Sequence, residues 1–333
     1  MSDQESEKEF IAGNSITLQM QLTPEQLSMM REWSKMIPTL YMLDICVVSA
    51  TKLTSVSLEN NPRKTKLVNY LRELDKPNNC FSYLFALMEK VSDSRGIDTE
   101  EKLEEKILSD LSSLRTFFKN AKVCEPDEFV LDFLKELRSI PIENKRHEYL
   151  CFLNDLNGKF NLGNSVSPKQ RLAIAEKTIE HAAALNIVRQ HPIVVIGLAC
   201  LYGNPAAKRL MKFTSDSKKF DPENVLADIM LINRFAGVKL EIEQMGRNGS
   251  GRYLRTEFIT DDFGLIEILK CFTPTYVKHT DRHDGRETQT TMTVKLKDLL
   301  TDINDKELEN IIDLLSQNSV LTNRSSGPHS AAA

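Results

Sequence analysis

The chain has 333 residues, 41% of them hydrophobic, with a formal net charge of -4 and a pI of about 6.0. That length holds a sizeable core and reads as two compact lobes or as one domain with a large insertion. The acidic balance argues against a protein coated by nucleic acid while leaving room for a local basic groove; the start, MSDQESEKEF, does not read as a signal peptide, and no apolar run approaches the ~20 residues a membrane span needs.

Taken in chain order, residues 1 to about 20 read as loosely ordered. The stretch 22–36, LTPEQLSMMREWSKM, predicts a helix capped by Thr23, with Pro24 in its first turn and Leu27, Met30 and Trp33 on one face. Leu40 to Val48 is short and apolar, and its first half reads as a buried strand. NPRKTKLVNYLRELDKP predicts a helix with basic residues at its start, and FSYLFALMEKVSD, 81–93, predicts another.

From about 98 to 190 the pattern is helical. EEKLEEKILSDLSSLRTFFKNA places Leu103, Ile107, Leu111, Leu114 and Phe118 on one face. PDEFVLDFLKELRSI follows as a helix, NDLNGKFNLGNSVSP as a loop, and SPKQRLAIAEKTIEHAAALNIVRQ as a helix capped at Ser167. The whole stretch reads as a helical insertion, a packing scaffold or a surface for a protein partner.

HPIVVIGLACLYGN, 191–204, fits a buried helix or a strand equally. PAAKRLMKF and DPENVLADIMLINRF read as helices. KLEIEQM and YLRTEFIT then read as strands joined by the glycine-rich GRNGSG. FGLIEILKCF predicts a short helix, TPTYVKH a strand, ETQTTMTVKLKDLL an extended segment turning helical, and DKELENIIDLLSQN a last helix. The tail NRSSGPHSAAA has the composition of a disordered segment. KHTDRHDGR, with His279 and His283 four apart, reads as a surface loop. The six cysteines are scattered, without metal-site spacing, and fit reduced thiols in a cytoplasmic protein.

Strands alternating with helices predict an α/β fold with a mainly parallel sheet, whose ligands bind at the carboxyl ends of the strands. Against that expectation the acids in apolar settings stand out. Asp44 sits in TLYMLDICVVSATK, Glu89 in FALMEKV, Asp228 in VLADIMLI beside Val225, Ile229 and Ile232, and Asp261 and Asp262 follow a strand in FITDDFG. Each has an ordinary explanation: a loop hydrogen bond for Asp44, a surface position for Glu89, a partner such as Arg234 or a lysine for Asp228, a helix cap for Asp261. Gathered in one pocket they would repel, and hard divalent cations, Mg²⁺ or Mn²⁺, are the natural compensation.

The order of these acids resembles that of the PIN-domain-like nucleases. The matching pieces are YMLDICVVSA for an aspartate ending the first strand, SYLFALMEK for a helical glutamate, NVLADIMLI for a later helical aspartate, and Thr260, Asp261 and Asp262 for the Thr-x-Asp after a further strand. The resemblance covers roughly 38–95 and 190–278. It implies a PIN-like parallel sheet flanked by helices over 38–280, with the helical insertion at about 98–190, an N-terminal extension over 1–37, and a C-terminal extension and disordered tail over 281–333. It also implies a metal-dependent endonuclease, RNA favoured over DNA, with Asp44, Glu89, Asp228 and Asp262 holding the metals and Asp261 an outer ligand, and it suggests a toxin or defence role. Basic residues at 63–66, 208–212 and 247–255 would hold the nucleic-acid backbone. The competing expectation is a non-catalytic interaction or regulatory protein on a degenerate PIN-like fold, its acids paired structurally.

Overall fold

The structure, a computed structural model, describes residues 10–12, 15–17, 21–94, 98–139, 143–216, 218–282 and 285–317. β1 (Phe10–Ala12) and β2 (Ser15–Thr17) pair antiparallel; the tail, 323–333, lies outside the described residues, as does most of 1–20. α1 (Pro24–Ser34) begins as its sequence predicts, with a capping box between Thr23 and Gln26. Its apolar face, however, is not covered: no residue of α1 is buried, and Trp33 is 67% exposed.

The body follows as β3 (Thr39–Leu43), α2 (Ile45–Ala50), α3 (Ser55–Glu59), α4 (Pro62–Glu73), β4 (Asn79–Ser82), α5 (Leu84–Ser94), α6 (Glu100–Phe117) and β5 (Lys122–Val123). Next come α7 (Asp127–Ser139), α8 (Arg146–Asn157), α9 (Pro168–Ala184), α10 (Pro192–Leu201), α11 (Pro205–Met211) and α12 (Pro222–Arg247). The chain then forms β6 (Arg255–Ile259), α13 (Phe263–Leu269), β7 (Phe272–Arg282), β8 (Gly285–Val294), α14 (Leu296–Leu299) and α15 (Asp305–Ser316).

The fold is α/β. Four strands form a parallel sheet in the order β5-β4-β3-β6, flanked by helices. Every residue of β3 is buried, because both faces of the sheet are covered. Alternation sorts the side chains. Leu40 and Met42 point into a core built with α8 to α13, whereas Tyr41 and Leu43 point into a second core with Leu71 of α4, Ala86 and Leu87 of α5, and the apolar stripe of α6. The α6 face Leu103, Ile107, Leu111 and Leu114, read from its spacing, is fully buried there.

Several sequence expectations change. Residues 81–93 are not helical throughout: β4 ends at Ser82 and α5 starts at Leu84. A strand buried on both faces is a continuous apolar run, which periodicity cannot separate from the start of a buried helix. The segment 98–190 contributes an edge strand, β5, to the sheet, as well as helices. KLEIEQM is helical, not extended; α12 runs on to Arg247. Its alternation imitates a strand, but Lys239 and Arg247 each pair with Glu243 at helical i,i+4 spacing. The GRNGSG turn therefore links a helix to β6, with Gly249 in left-handed backbone (φ 74). HPIVVIGLACLYGN resolves as the wholly buried α10. KHTDRHDGR is no loop up to Arg282: β7 and β8 pair as a long antiparallel hairpin around it. His283 lies outside the described residues. Cys80 of β4 and Cys124, the residue after β5, with Cα atoms 6.0 Å apart, are joined as a disulfide, so the expectation of six reduced thiols does not hold for this pair. Among the described residues no helix is long and apolar enough to cross a membrane.

Candidate active site

The register of the sheet creates the site. Leu43 of β3 stands opposite Ile259 of β6, so both strands end at one level. Asp44 and the Thr260-Asp261-Asp262 turn therefore emerge side by side at the carboxyl edge, where open α/β sheets bind ligands. The Asp44 amide donates to the Ile259 carbonyl (3.1 Å), which extends the ladder by one step.

Asp44 is the N-cap residue of α2, yet its carboxylate caps no backbone amide of that helix. It accepts instead from the Thr260 hydroxyl and from the Cys46 thiol (3.2 Å). Glu89, one and a half turns into α5, does the capping: its Oε2 accepts from the Ile45 amide (3.3 Å), and its carboxyl lies beside that of Asp44. Asp228 of α12 faces the same space and pairs with Lys212 (2.8 Å). Asp262, not Asp261, caps α13, accepting from the Leu265 amide (3.0 Å). Asp261 is held by Arg63 and Lys64, each at 2.8 Å. All five acids line one cavity of about 610 Å³, together with Arg63, Arg209 and Lys212.

Charge crowding leaves its mark. Burial, the neighbouring Asp44 carboxyl and the charge of Asp228 hold the Glu89 pKa far above the usual carboxylate range. Burial also pushes Asp228 up to about 6, against the pull of Lys212 and with the push of Asp262 and Asp44. Burial and Asp44 push the Cys46 thiol up to about 12, so it is a neutral donor and not a nucleophile. At Asp261 burial is outweighed by hydrogen bonds from Lys64 and Arg63, and its pKa is lowered. Burial opposes the charge of Lys212, but Asp228, Asp262 and Glu89 together raise its pKa.

The donor set is carboxylate oxygen without a histidine, which suits a hard cation. Among the described residues, no group of three or more His, Cys, Asp or Glu side chains is arranged so that it could hold a metal ion. Two of the acids are already paired with cations: Lys212 engages Asp228, while Arg63 and Lys64 engage Asp261. Asp44, Glu89, Asp228 and Asp262 nonetheless line one cavity.

Two of the three basic clusters expected at the acids are there, through Arg63 with Lys64 and through Arg209 with Lys212. The third is not. Leu254 bonds to Pro38 and Arg255 reaches Ser34, at the amino end of β3 and β6, so 247–255 lies at the far end of the sheet from the acids. Asp228 pairs with Lys212 and not with Arg234, which binds Glu143. Cys46 and Phe263 escaped the sequence reading. Phe263 is 52% exposed, and the Arg63 guanidinium lies 4.6 Å above its ring. An aromatic directly after the Asp-Asp pair, at the start of a short helix, was the available signal. In comparisons with known proteins, no family model, no curated protein and no solved structure matches the chain.

Proposed function

We propose that the protein is a divalent-cation-dependent phosphodiesterase with a PIN-like site, cleaving nucleic acid, with RNA favoured over DNA. One observation carries the reading. Acids drawn from β3's end, α5, α12 and the turn after β6, far apart in sequence, share a single cavity. Their order along the chain is the one that the resemblance to PIN-like nucleases implies.

Asp44, Glu89, Asp228 and Asp262 would hold Mg²⁺ or Mn²⁺. When bound, the cation supplies charge compensation and activates water for in-line attack on phosphorus. The rest falls to the chain's own side chains. Thr260 orients Asp44 by donating to its carboxylate. Asp261, committed to Arg63 and Lys64, positions those two cations. Arg209 is exposed at the cavity, has no ion-pair partner among the described residues, and is placed to meet a phosphate.

A specific observation favours the second reading, an interaction module with paired acids: Asp228 and Asp261 already have cationic partners. The two readings separate in a cleavage assay. Wild type is expected to cut a mixed RNA pool in Mn²⁺ and not in EDTA. Asp262→Asn keeps a good helix cap, since Asn and Asp cap equally well, but removes the charge; its rate is expected to fall on the order of 100-fold or more. Equal cutting by wild type and Asp262→Asn, or cutting that survives EDTA, contradicts the nuclease reading.

A further inference from the structure

Phe263 is the one large apolar side chain among the described residues that line the acid cavity; the others are mostly charged or polar. It is the first residue of α13 and 52% exposed. A single exposed phenylalanine is ordinary on a surface, but this one is held in place. Asp262 caps its helix, accepting from the Leu265 amide (3.0 Å). α13 packs closely on α11: a Cβ at Gly264 would lie 3.0 Å from both the Ala206 carbonyl oxygen and the Leu210 amide nitrogen. Arg63 of α4 lies over the ring, 4.6 Å from its centroid. The Arg63 Nε donates to Asp261 Oδ1 (2.8 Å), and an amino group of the same guanidinium donates to the Asp261 carbonyl. Asp261 thus engages two edges of the guanidinium and fixes its plane, while the Arg63 side chain stays half exposed.

We propose that the Phe263–Arg63 pair is a stacking platform for one unpaired nucleobase of the bound strand. The inference rests on the nucleic-acid reading above. A nucleotide joins a flat, weakly hydrated ring to an anionic phosphate. The cavity answers both parts: an aromatic ring and a guanidinium plane already stacked on each other, and beside them Arg209, exposed and without an ion-pair partner among the described residues. Every base has a π-face, and stacking is blind to the sugar, so the platform serves RNA and DNA strands alike. A duplex keeps its base faces inside its own stack and gains nothing from the ring. Phe263 is then a specificity-determining residue: it favours unpaired over paired substrate and takes no part in the bond cleavage.

The test is fluorescence anisotropy of a labelled, mixed-sequence RNA strand of about 12 nucleotides, its DNA counterpart and the RNA duplex. Each is titrated with the full chain in EDTA, and again with Ca²⁺ present to offset the charge of the acids. The proteins are wild type, Phe263→Leu and Phe263→Tyr, each checked for a cooperative thermal transition. Phe263→Leu is expected to weaken binding of both single strands roughly 5- to 100-fold and to leave duplex binding unchanged. Phe263→Tyr restores a ring and is expected to bind as wild type does. Should the leucine variant fail to fold, Phe263→Met gives the same comparison. Single strands held as tightly by the leucine variant as by wild type, an equal loss on strands and duplex, or a tyrosine variant as weak as the leucine one overturns the platform and leaves the nucleic-acid reading standing. A wild type that binds none of the three in either buffer overturns both.

Discussion

Asp44 is tolerated in an apolar run because its partners come from elsewhere in the chain. The Thr260 hydroxyl and the Cys46 thiol donate to it. The same contact fixes the state of Cys46. With its pKa pushed up to about 12 by burial and Asp44, the thiol is protonated at neutral pH. In metal-free protein, iodoacetamide at pH 8 is expected to alkylate Cys46 roughly 100-fold or more slowly than a model peptide thiol. Peptide mass spectrometry follows this directly, and labelling at the peptide rate would mean that the thiol is not held as described. The acids were legible in the sequence because a carboxylate between large apolar residues demands an explanation. Their counter-charges were not. Lys212 is 16 positions from Asp228 and Arg63 is 198 from Asp261, and only the packing of α11 and α4 against the site decides those pairs.

At the scale of elements, the legible parts were those with local signals. The Thr23 cap, the stripe of α6 and the start of α9 at Pro168 all follow from residues near one another. β4, α10 and the last turns of α12 did not, since a buried apolar run and a charged alternation each fit two periods. α10 illustrates what the sequence conceals. Its N-cap is His191, whose Nδ1 accepts from the Ile193 amide (3.2 Å) and whose pKa is lowered to about 4 by burial, with a smaller push from Lys145. A histidine held below its unfolded value stabilises the fold above that value, about 6.5, and the contribution is lost as pH falls towards 4. Between pH 7 and 4, wild type is therefore expected to lose on the order of 1–3 kcal/mol relative to His191→Asn, which keeps an acceptor but cannot titrate. Urea denaturation at a series of pH values measures this, and parallel profiles would contradict it. The α11–α13 contact makes another prediction. Gly264→Ala adds a Cβ at 3.0 Å from two backbone atoms, which helices can relieve only by moving apart. It is expected to lower stability by about 1–3 kcal/mol, read as a lower urea midpoint; an unchanged midpoint would mean that the two helices yield freely.

For the molecule as a whole, the parallel sheet builds the candidate site. Once β3 and β6 are neighbours in register, Asp44 and Asp262 must meet at the carboxyl edge, and the helices that follow β4 and precede β6 supply Glu89 and Asp228. The parallel class was legible from alternating strands and helices. The direction of the third basic cluster was not, because β6 carries 247–255 about 16 Å away from the acids. The central claim, that the acids form one cation-dependent site, is tested most directly by titrating Mn²⁺ into wild type and Asp44→Asn while following RNA cleavage in the same samples. The account predicts that wild type binds the ion and cuts, and that Asp44→Asn, still cooperatively folded, does neither. A wild type that binds no metal, or an Asp44→Asn variant that binds and cuts as well as wild type, would contradict it and make Asp44 a structural residue of an interaction module.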